Sequence, residues 1–211
     1  GPIAVLHRIG RNQEEPVAIT VQPITESFAA EIGDVDLARP IASDDLAAIR
    51  AAFTRYAVVI FPDQHFDDES QLDFARHFGP LETTVFKARK DHKLRLHENL
   101  ADVGNLDNDN RLLETNDRQR LYNLGNRLWH TDSSFKRVPA YCSMLHARSI
   151  PPIGGQTEFA DMRAAYDALP EATRRRLAGL VAEHSIMTSR AKLGFADFDE
   201  SERDACRTPA A

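Results

Sequence analysis

Between residues 43 and 61 the hydrophobic pattern changes period. Leu46, Ile49 and Phe53 recur at helical spacing behind Ser43, Asp44 and Asp45. This predicts a helix with an N-cap serine, two first-turn acids set against the helix dipole, and one buried face. Ala57-Val58-Val59-Ile60-Phe61 is then an unbroken β-branched and aromatic run, the pattern of a buried strand, and Pro62 ends it. Upstream, Ile19, Val21 and Ile24 alternate loosely and predict short strands broken at Pro23, with a further short strand or turn over residues 31–37. Residues 67–78 read as a second helix stopped by Gly79-Pro80. Trp129 to Phe135 reads as an extended segment, and Ala140 to Ile150 as a strand with Tyr141, Ser143, Leu145 and Ala147 on one side. A Pro-Pro and Gly-Gly turn precedes a strand over residues 156–160. Two short helices follow over 161–169 and 170–180, with Pro170 suited to the first helical position of the second, and Val181 to Met187 alternates again. Strands outnumber helices and long connections separate them. The expected fold class is mainly β with added helices, a sandwich or jelly-roll core rather than a doubly wound sheet.

Two stretches stand outside this pattern. Residues 1–16 are a loose N-terminal arm, beginning with Gly1-Pro2 in the form of a protease-cleavage scar. Residues 87–127 are strongly polar, with basic, acidic and asparagine side chains mixed. About forty such residues inside a compact domain form either a functional lid or a solvated insertion.

Composition removes several functions. The chain has 211 residues, a soft prior of one domain. A formal net charge of −6 argues against a global polyanion binder and hence against nucleic acid, while leaving room for a local basic pocket. No apolar run is long enough to span a bilayer, and no secretory signal is visible, so no membrane association is expected. Cys142 and Cys206 are far apart and in no CxxC spacing, which excludes a disulfide framework or a cysteine-rich zinc site and fits a reducing cytoplasm. Small symmetric assemblies are common, so a homo-oligomer is the default expectation. There is no Gly-rich phosphate loop, GxSxG or HExxH.

The leading chemical constellation is His130-Thr131-Asp132. In a strand, residues i and i+2 share a face, so one imidazole and one carboxylate can reach one metal. A second histidine from elsewhere would complete the facial triad of non-haem Fe(II) oxygenases, which leaves coordination positions open. The spacing alone is a weak signal: His65-Phe66-Asp67 repeats it, and there Asp67 reads better as a helix N-cap.

The surrounding residues are more specific. Asn126-Arg127-Leu128-Trp129-His130-Thr131-Asp132-Ser133-Ser134-Phe135 resembles the metal-binding segment of the TauD/TfdA (taurine/2,4-dichlorophenoxyacetate) family of Fe(II)/2-oxoglutarate-dependent dioxygenases. The resemblance continues through Pro151-Pro152-Ile153-Gly154-Gly155-Gln156-Thr157-Glu158-Phe159-Ala160-Asp161, and upstream through Val59-Ile60-Phe61-Pro62-Asp63-Gln64 and Phe74-Ala75-Arg76-His77-Phe78-Gly79-Pro80. It runs from about residue 17 to the C-terminus, and Glu183-His184 and Ser189-Arg190 look most like the aryloxyalkanoate (2,4-D) branch.

The resemblance implies a double-stranded β-helix (jelly-roll) domain over 17–211 with a lid-like insertion at 87–127. It implies an enzyme using Fe(II), 2-oxoglutarate and O2, with ascorbate as a reductant, on a small anionic organic substrate. His130 and Asp132 match the first two iron ligands. Thr157 matches a residue whose hydroxyl helps bind 2-oxoglutarate, or is an ordinary strand threonine. Lys87 matches a basic position facing the substrate carboxylate, or is a solvated lysine on the lid. Asn105 falls in a segment resembling one that borders the substrate pocket. Trp129 is expected to wall the metal segment and His146 to be structural, while His184 and Arg190 fall in a family-like region and either lie near the site or are structural. The implied reaction is ether cleavage of an aryloxyalkanoate to a phenol and glyoxylate, with succinate and CO2. A family dioxygenase for another anion such as a sulfonate stays open. So does a non-catalytic fragment, because the family pattern continues past Ala211. There the resemblance implies a second iron histidine, an arginine about ten residues beyond it, and the last jelly-roll strands, so that the chain reads as roughly the N-terminal three-quarters of such an enzyme.

Overall fold

A computed structural model describes residues 18–65, 67–84 and 94–206. The chain divides into two units, one ending at His65 and the other beginning at Phe66.

In the first unit, β1 (Thr20–Pro23), β2 (Ala30–Gly33), α1 (Ser43–Tyr56) and β3 (Val59–Ile60) follow in order. β2 is the central strand, antiparallel to β1 from Thr20 opposite Gly33 to Pro23 opposite Ala30, and parallel to β3 from Ala30 opposite Val59. The period-2 rule is visible in β2, where Ala30 and Ile32 are fully buried and Glu31 between them is exposed. α1 lies against this sheet, burying Ile49, Ala52 and Tyr56 at helical spacing. Ala57 ends it in the left-handed conformation (φ 62°), its N–H donating to the Phe53 carbonyl at 2.8 Å. The two first-turn acids stand where the sequence puts them, but Ser43 is the first helical residue and Ala42 the cap, with no side-chain capping bond.

Gln64 closes this unit. Its Nε2 donates to the carbonyls of Val35 and Pro62, each at 3.0 Å, and its Oε1 accepts the Leu37 N–H at 2.8 Å. One amide thus joins the chain that leaves β2 to the chain that leaves β3.

The second unit carries α2 (Asp68–Arg76), α3 (Arg118–Asn123), a 3-10 turn over Leu124–Arg127, α4 (Met162–Asp167), α5 (Glu171–Leu177), α6 (Ile186–Ala191) and α7 (Glu200–Ala205). Asp67 caps α2 by accepting the Ser70 N–H at 2.9 Å, which holds its carboxyl below the usual carboxylate range. Asp161 caps α4, and Pro170 stands at the N-cap of α5 rather than at its first helical position.

An aromatic core ties distant segments together. Tyr122 of α3 meets Phe195 edge-to-face at 5.6 Å, and Phe195 meets Phe198 at 5.1 Å, with Cys206 buried beside them and Ile186 and Met187 of α6 against the cluster. Buried Glu202 is paired through its Oε2. It accepts from Arg118 at 2.6 Å and completes a capping box with Asp199 at the start of α7.

Two strand expectations are corrected, and a further alternating run turns into helix. Residues 140–150 and 156–160 contain no strand, and the alternation from Val181 leads into α6, which begins at Ile186. Alternation favours an extended chain, but a strand exists only where a neighbour accepts its backbone hydrogen bonds. Among the described residues no strand pairs with these segments, and helical residues exceed strand residues there, the reverse of the expected balance. The side chains of 151–160 are correspondingly exposed. Among the described residues no helix is long and apolar enough to cross a membrane.

Candidate metal centre

Helix α3 and the 3-10 turn after it deliver the chain to Leu128 and then to the site. Asp117 starts α3 by accepting the N–H groups of Gln119 and Arg120 at 2.8 and 3.3 Å. At the other end, Gly125 is buried against Arg190, whose guanidinium lies over the Tyr122 ring at 4.8 Å and reaches Asn126 Oδ1 at 3.5 Å. The aromatic core therefore fixes where the following residues begin.

The segment Trp129–Phe135 is not a strand. Residues 129–131 are irregular and 132–135 form a turn in which Ser133 adopts φ 57°. The Lys136 N–H donates to the Ser133 carbonyl at 2.9 Å, and Ser134 Oγ donates to the Thr131 carbonyl at 3.3 Å. The side chains of His130 and Asp132 nevertheless meet, with Nε2 to Oδ1 at 3.1 Å, because the turn rather than a pleat points them together.

The neighbours of this pair define its chemistry. His130 Nδ1 lies 2.6 Å from the Leu128 carbonyl oxygen, which only accepts, so Nδ1 carries a proton there. Asp132 Oδ2 accepts from Ser143 Oγ at 2.7 Å. What remains free is Nε2 of the imidazole and Oδ1 of the carboxylate, facing each other. A neutral ring presents a lone pair to an anionic oxygen in that arrangement, which needs a proton or a cation between them. Two donors each about 2.1 Å from one octahedral ion and at right angles stand about 3.0 Å apart. The donor set and its separation fit two adjacent positions on a divalent ion. The carbonyl and hydroxyl behind them are groups of the kind that orient side chains around a metal ion. Both side chains are open to solvent, His130 at 40% and Asp132 at 57%. Among the described residues no group of three or more His, Cys, Asp or Glu side chains could hold a metal ion, so a third protein donor is not part of this arrangement.

The other residues singled out by sequence are placed as follows. Thr157 is exposed, in the irregular stretch between Gly155 and Asp161. Asn105 is exposed, and its carbonyl accepts the Leu113 N–H at 2.8 Å where residues 105–113 fold back through a Leu106–Leu112 bridge. Lys87 lies outside the described residues. Trp129 is 69% exposed and walls nothing in this structure. The part of the polar insertion that is described is well tied. Arg95 grips Asp102 with two bonds of 2.6 and 2.7 Å, which raises the guanidinium's pKa further, and Asn123 Nδ2 donates to the Gly104 carbonyl at 3.0 Å.

Two contributors carried no usable sequence signal. Ser143 was expected only as one side of a strand, and its bond to Asp132 spans eleven residues of irregular chain. Glu82 accepts from Ser133 Oγ across fifty-one residues. Neither contact follows a helical or strand period.

Known proteins resemble this chain along most of its length. The family model described as taurine catabolism dioxygenase TauD, TfdA family matches residues 20–210. An alpha-ketoglutarate-dependent 2,4-dichlorophenoxyacetate dioxygenase of Cupriavidus pinatubonensis is 39% identical over 189 residues, 90% of this chain and 66% of that protein. An (S)-phenoxypropionate/alpha-ketoglutarate-dioxygenase of Sphingobium herbicidovorans is 39% identical over 182 residues, 84% of this chain and 57% of its own length. Among solved structures, that of AAD-2 in complex with Mn(II) and N-oxalylglycine superposes with a TM-score of 0.82 at 42% identity, covering 89% of this chain and 65% of that one. The chain thus spans between 57% and 66% of the length of these relatives, less than two thirds of each.

Proposed function

Because the chain belongs to the TauD/TfdA family of dioxygenases, we propose that the protein carrying it is an Fe(II)/2-oxoglutarate-dependent dioxygenase acting on a small aryloxyalkanoate. The observation that carries this reading is the facing pair of His130 Nε2 and Asp132 Oδ1 at 3.1 Å, each held from behind by a separate partner. Similarity to relatives named for 2,4-dichlorophenoxyacetate and phenoxypropionate supports the substrate class.

In this reading His130 and Asp132 hold iron, the Leu128 carbonyl sets the imidazole tautomer, and Ser143 sets the carboxylate's orientation. Iron bound there, with 2-oxoglutarate and O2, supplies oxidative decarboxylation to succinate and CO2 coupled to hydroxylation of a substrate C–H bond. On a phenoxyacetate, a hydroxyl placed on the carbon next to the ether oxygen gives a hemiacetal that collapses to the phenol and glyoxylate. Thr157 offers its hydroxyl to 2-oxoglutarate. A carboxylate entering a dry pocket requires a cationic partner, and Lys87 is assigned to it, with Asn105 bordering the same pocket and residues 87–127 as its cover. The third iron ligand, the arginine for 2-oxoglutarate and the strands completing a double-stranded β-helix are assigned to the part of the family length this chain does not span. Cys142 and Cys206 are free thiols, which supports a reducing cytoplasm as the working compartment.

The test is a substrate panel. The protein carrying this chain is supplied with Fe(II), 2-oxoglutarate, ascorbate and air, then with phenoxyacetates, phenoxypropionates, sulfonates or sulfate esters, and succinate is measured together with phenol. Phenol and succinate formed in equal amounts from the aryloxyalkanoates is the expected result. Succinate coupled only to the sulfur compounds overturns the substrate class. No succinate with any member overturns the activity.

A further inference from the structure

The turn that carries Asp132 is held in a costly conformation by a residue far upstream. Ser133, the next residue, has φ 57°, a left-handed backbone that residues with a Cβ adopt at a cost. The turn's own bond, Lys136 N–H to the Ser133 carbonyl, does not select that conformation by itself. The two side chains at the ends of this bond converge on one atom. Ser133 Oγ donates to Glu82 Oε2 at 2.7 Å, and Lys136 Nζ reaches the same oxygen at 3.0 Å. Both are bonds to an ionised acceptor, the stronger class, and the Glu82 and Lys136 side chains are about two-thirds withdrawn from solvent. Glu82 is itself fixed. Its carbonyl accepts from Asn99 Nδ2 at 2.9 Å, and two residues on, the Thr84 N–H donates to the Glu98 carbonyl at 2.9 Å. One carboxylate therefore pins both ends of the turn to a braced segment.

We propose that Glu82 is a positioning residue for the His130–Asp132 pair. It holds Ser133 in the left-handed conformation and so sets the direction in which the Asp132 carboxylate leaves the backbone. Ser143 fixes the outer oxygen of that carboxylate, and Glu82 fixes the chain beneath it. Its consequence for metal affinity rests on the metal-centre reading above, while its consequence for the turn does not.

The experiment therefore has two readouts on the full chain: hydrogen exchange across residues 130–136, and Mn(II) binding followed by electron paramagnetic resonance. Glu82→Ala is expected to speed exchange in the turn at least tenfold while leaving the Tyr122–Phe198 core protected, and to weaken Mn(II) binding about tenfold, the low end for a lost support behind a metal ligand. Ser133→Gly, which makes φ near +60° inexpensive, is expected to recover part of the Mn(II) affinity in the Glu82→Ala background. Asp199→Ala, which loses the α7 cap, serves as the variant that lowers stability without touching the turn. If Glu82→Ala does not fold, Glu82→Gln, which keeps the size and removes the charge, carries the same comparison. Turn exchange unchanged, or raised no more than in Asp199→Ala, overturns the proposal. If the unsubstituted chain binds no Mn(II) while turn exchange responds as expected, the metal reading fails and the positioning of the turn by Glu82 stands.

Discussion

Replacing Gly125 with alanine separates packing from backbone preference in the element that leads to the site. Gly125 lies in the 3-10 turn between α3 and Leu128 and is buried. A Cβ there would overlap the Arg190 guanidinium at Cζ, Nη1 and Nε. That guanidinium is confined: Arg190 is 7% exposed, stacked over Tyr122 at 4.8 Å, and in contact with Asn126 Oδ1 at 3.5 Å and Ser189 Oγ at 3.4 Å. Making room for a methyl means displacing it. A desolvated cation–π contact is worth about 1–2 kcal/mol, the two long hydrogen bonds about 0.5 kcal/mol each, and strain from overpacking about 1 kcal/mol or more, so the loss is about 3–4 kcal/mol. Gly125 is not among the positive-φ glycines, so alanine suits its backbone and returns about 0.5–1 kcal/mol. The net expectation is a destabilisation of about 2–3 kcal/mol, measured by urea unfolding followed by circular dichroism. In an Arg190→Ala background the obstruction is gone, and Gly125→Ala should become neutral or mildly stabilising. That change of sign is the signature of the wedge. If Gly125→Ala costs the same with and without Arg190, the guanidinium is not the obstruction.

Three further outcomes follow from the contacts. Ser143→Ala should weaken Mn(II) binding about tenfold with little change in the unfolding midpoint, since the hydroxyl supports Asp132 rather than the core; equal affinity by titration would remove Ser143 from the site. Gln64→Ala strands one N–H and two carbonyls in the first unit and should cost about 2–3 kcal/mol in urea unfolding; a loss near zero would mean water replaces the amide freely. Burial pushes the Cys206 thiol up from 9.0 to about 11 and the Tyr122 phenol up from 10.0 to about 12. Raised values favour the neutral forms in the folded state, so their stability is whole below about pH 9 and is lost as pH climbs through 11 and 12. Cys206→Ala should move the onset of alkaline unfolding upward by about one pH unit, toward the tyrosine's range, and an unchanged onset would contradict the assignment.

The parts legible in the sequence are those governed by local rules. Leu46, Ile49 and Phe53 mark α1 because helical spacing is a property of neighbouring residues, and Asp67 and Asp161 mark helix starts because a cap bonds within its own first turn. The His130 and Asp132 side chains meet as the spacing suggested, although by a turn at Ser133 and not by the pleat of a strand. What was not legible depends on distant chain. The strands expected over 140–150 and 156–160 required a hydrogen-bonding neighbour that alternation cannot reveal. The Tyr122–Phe195–Phe198 core joins segments some seventy residues apart with no period linking them. Glu82 looked like one acid among many, and only the fold brings its carboxylate to Ser133 and Lys136.

The central claim is that His130 and Asp132 form two adjacent positions of an iron site. It is tested most directly by anaerobic titration of Fe(II) and 2-oxoglutarate into the protein carrying this chain, watching for the weak visible charge-transfer band of the chelate. A saturable band is expected, lost in His130→Ala and in Asp132→Ala and weakened in Ser143→Ala. A band that survives both substitutions, or none at any concentration of the two, would contradict the claim.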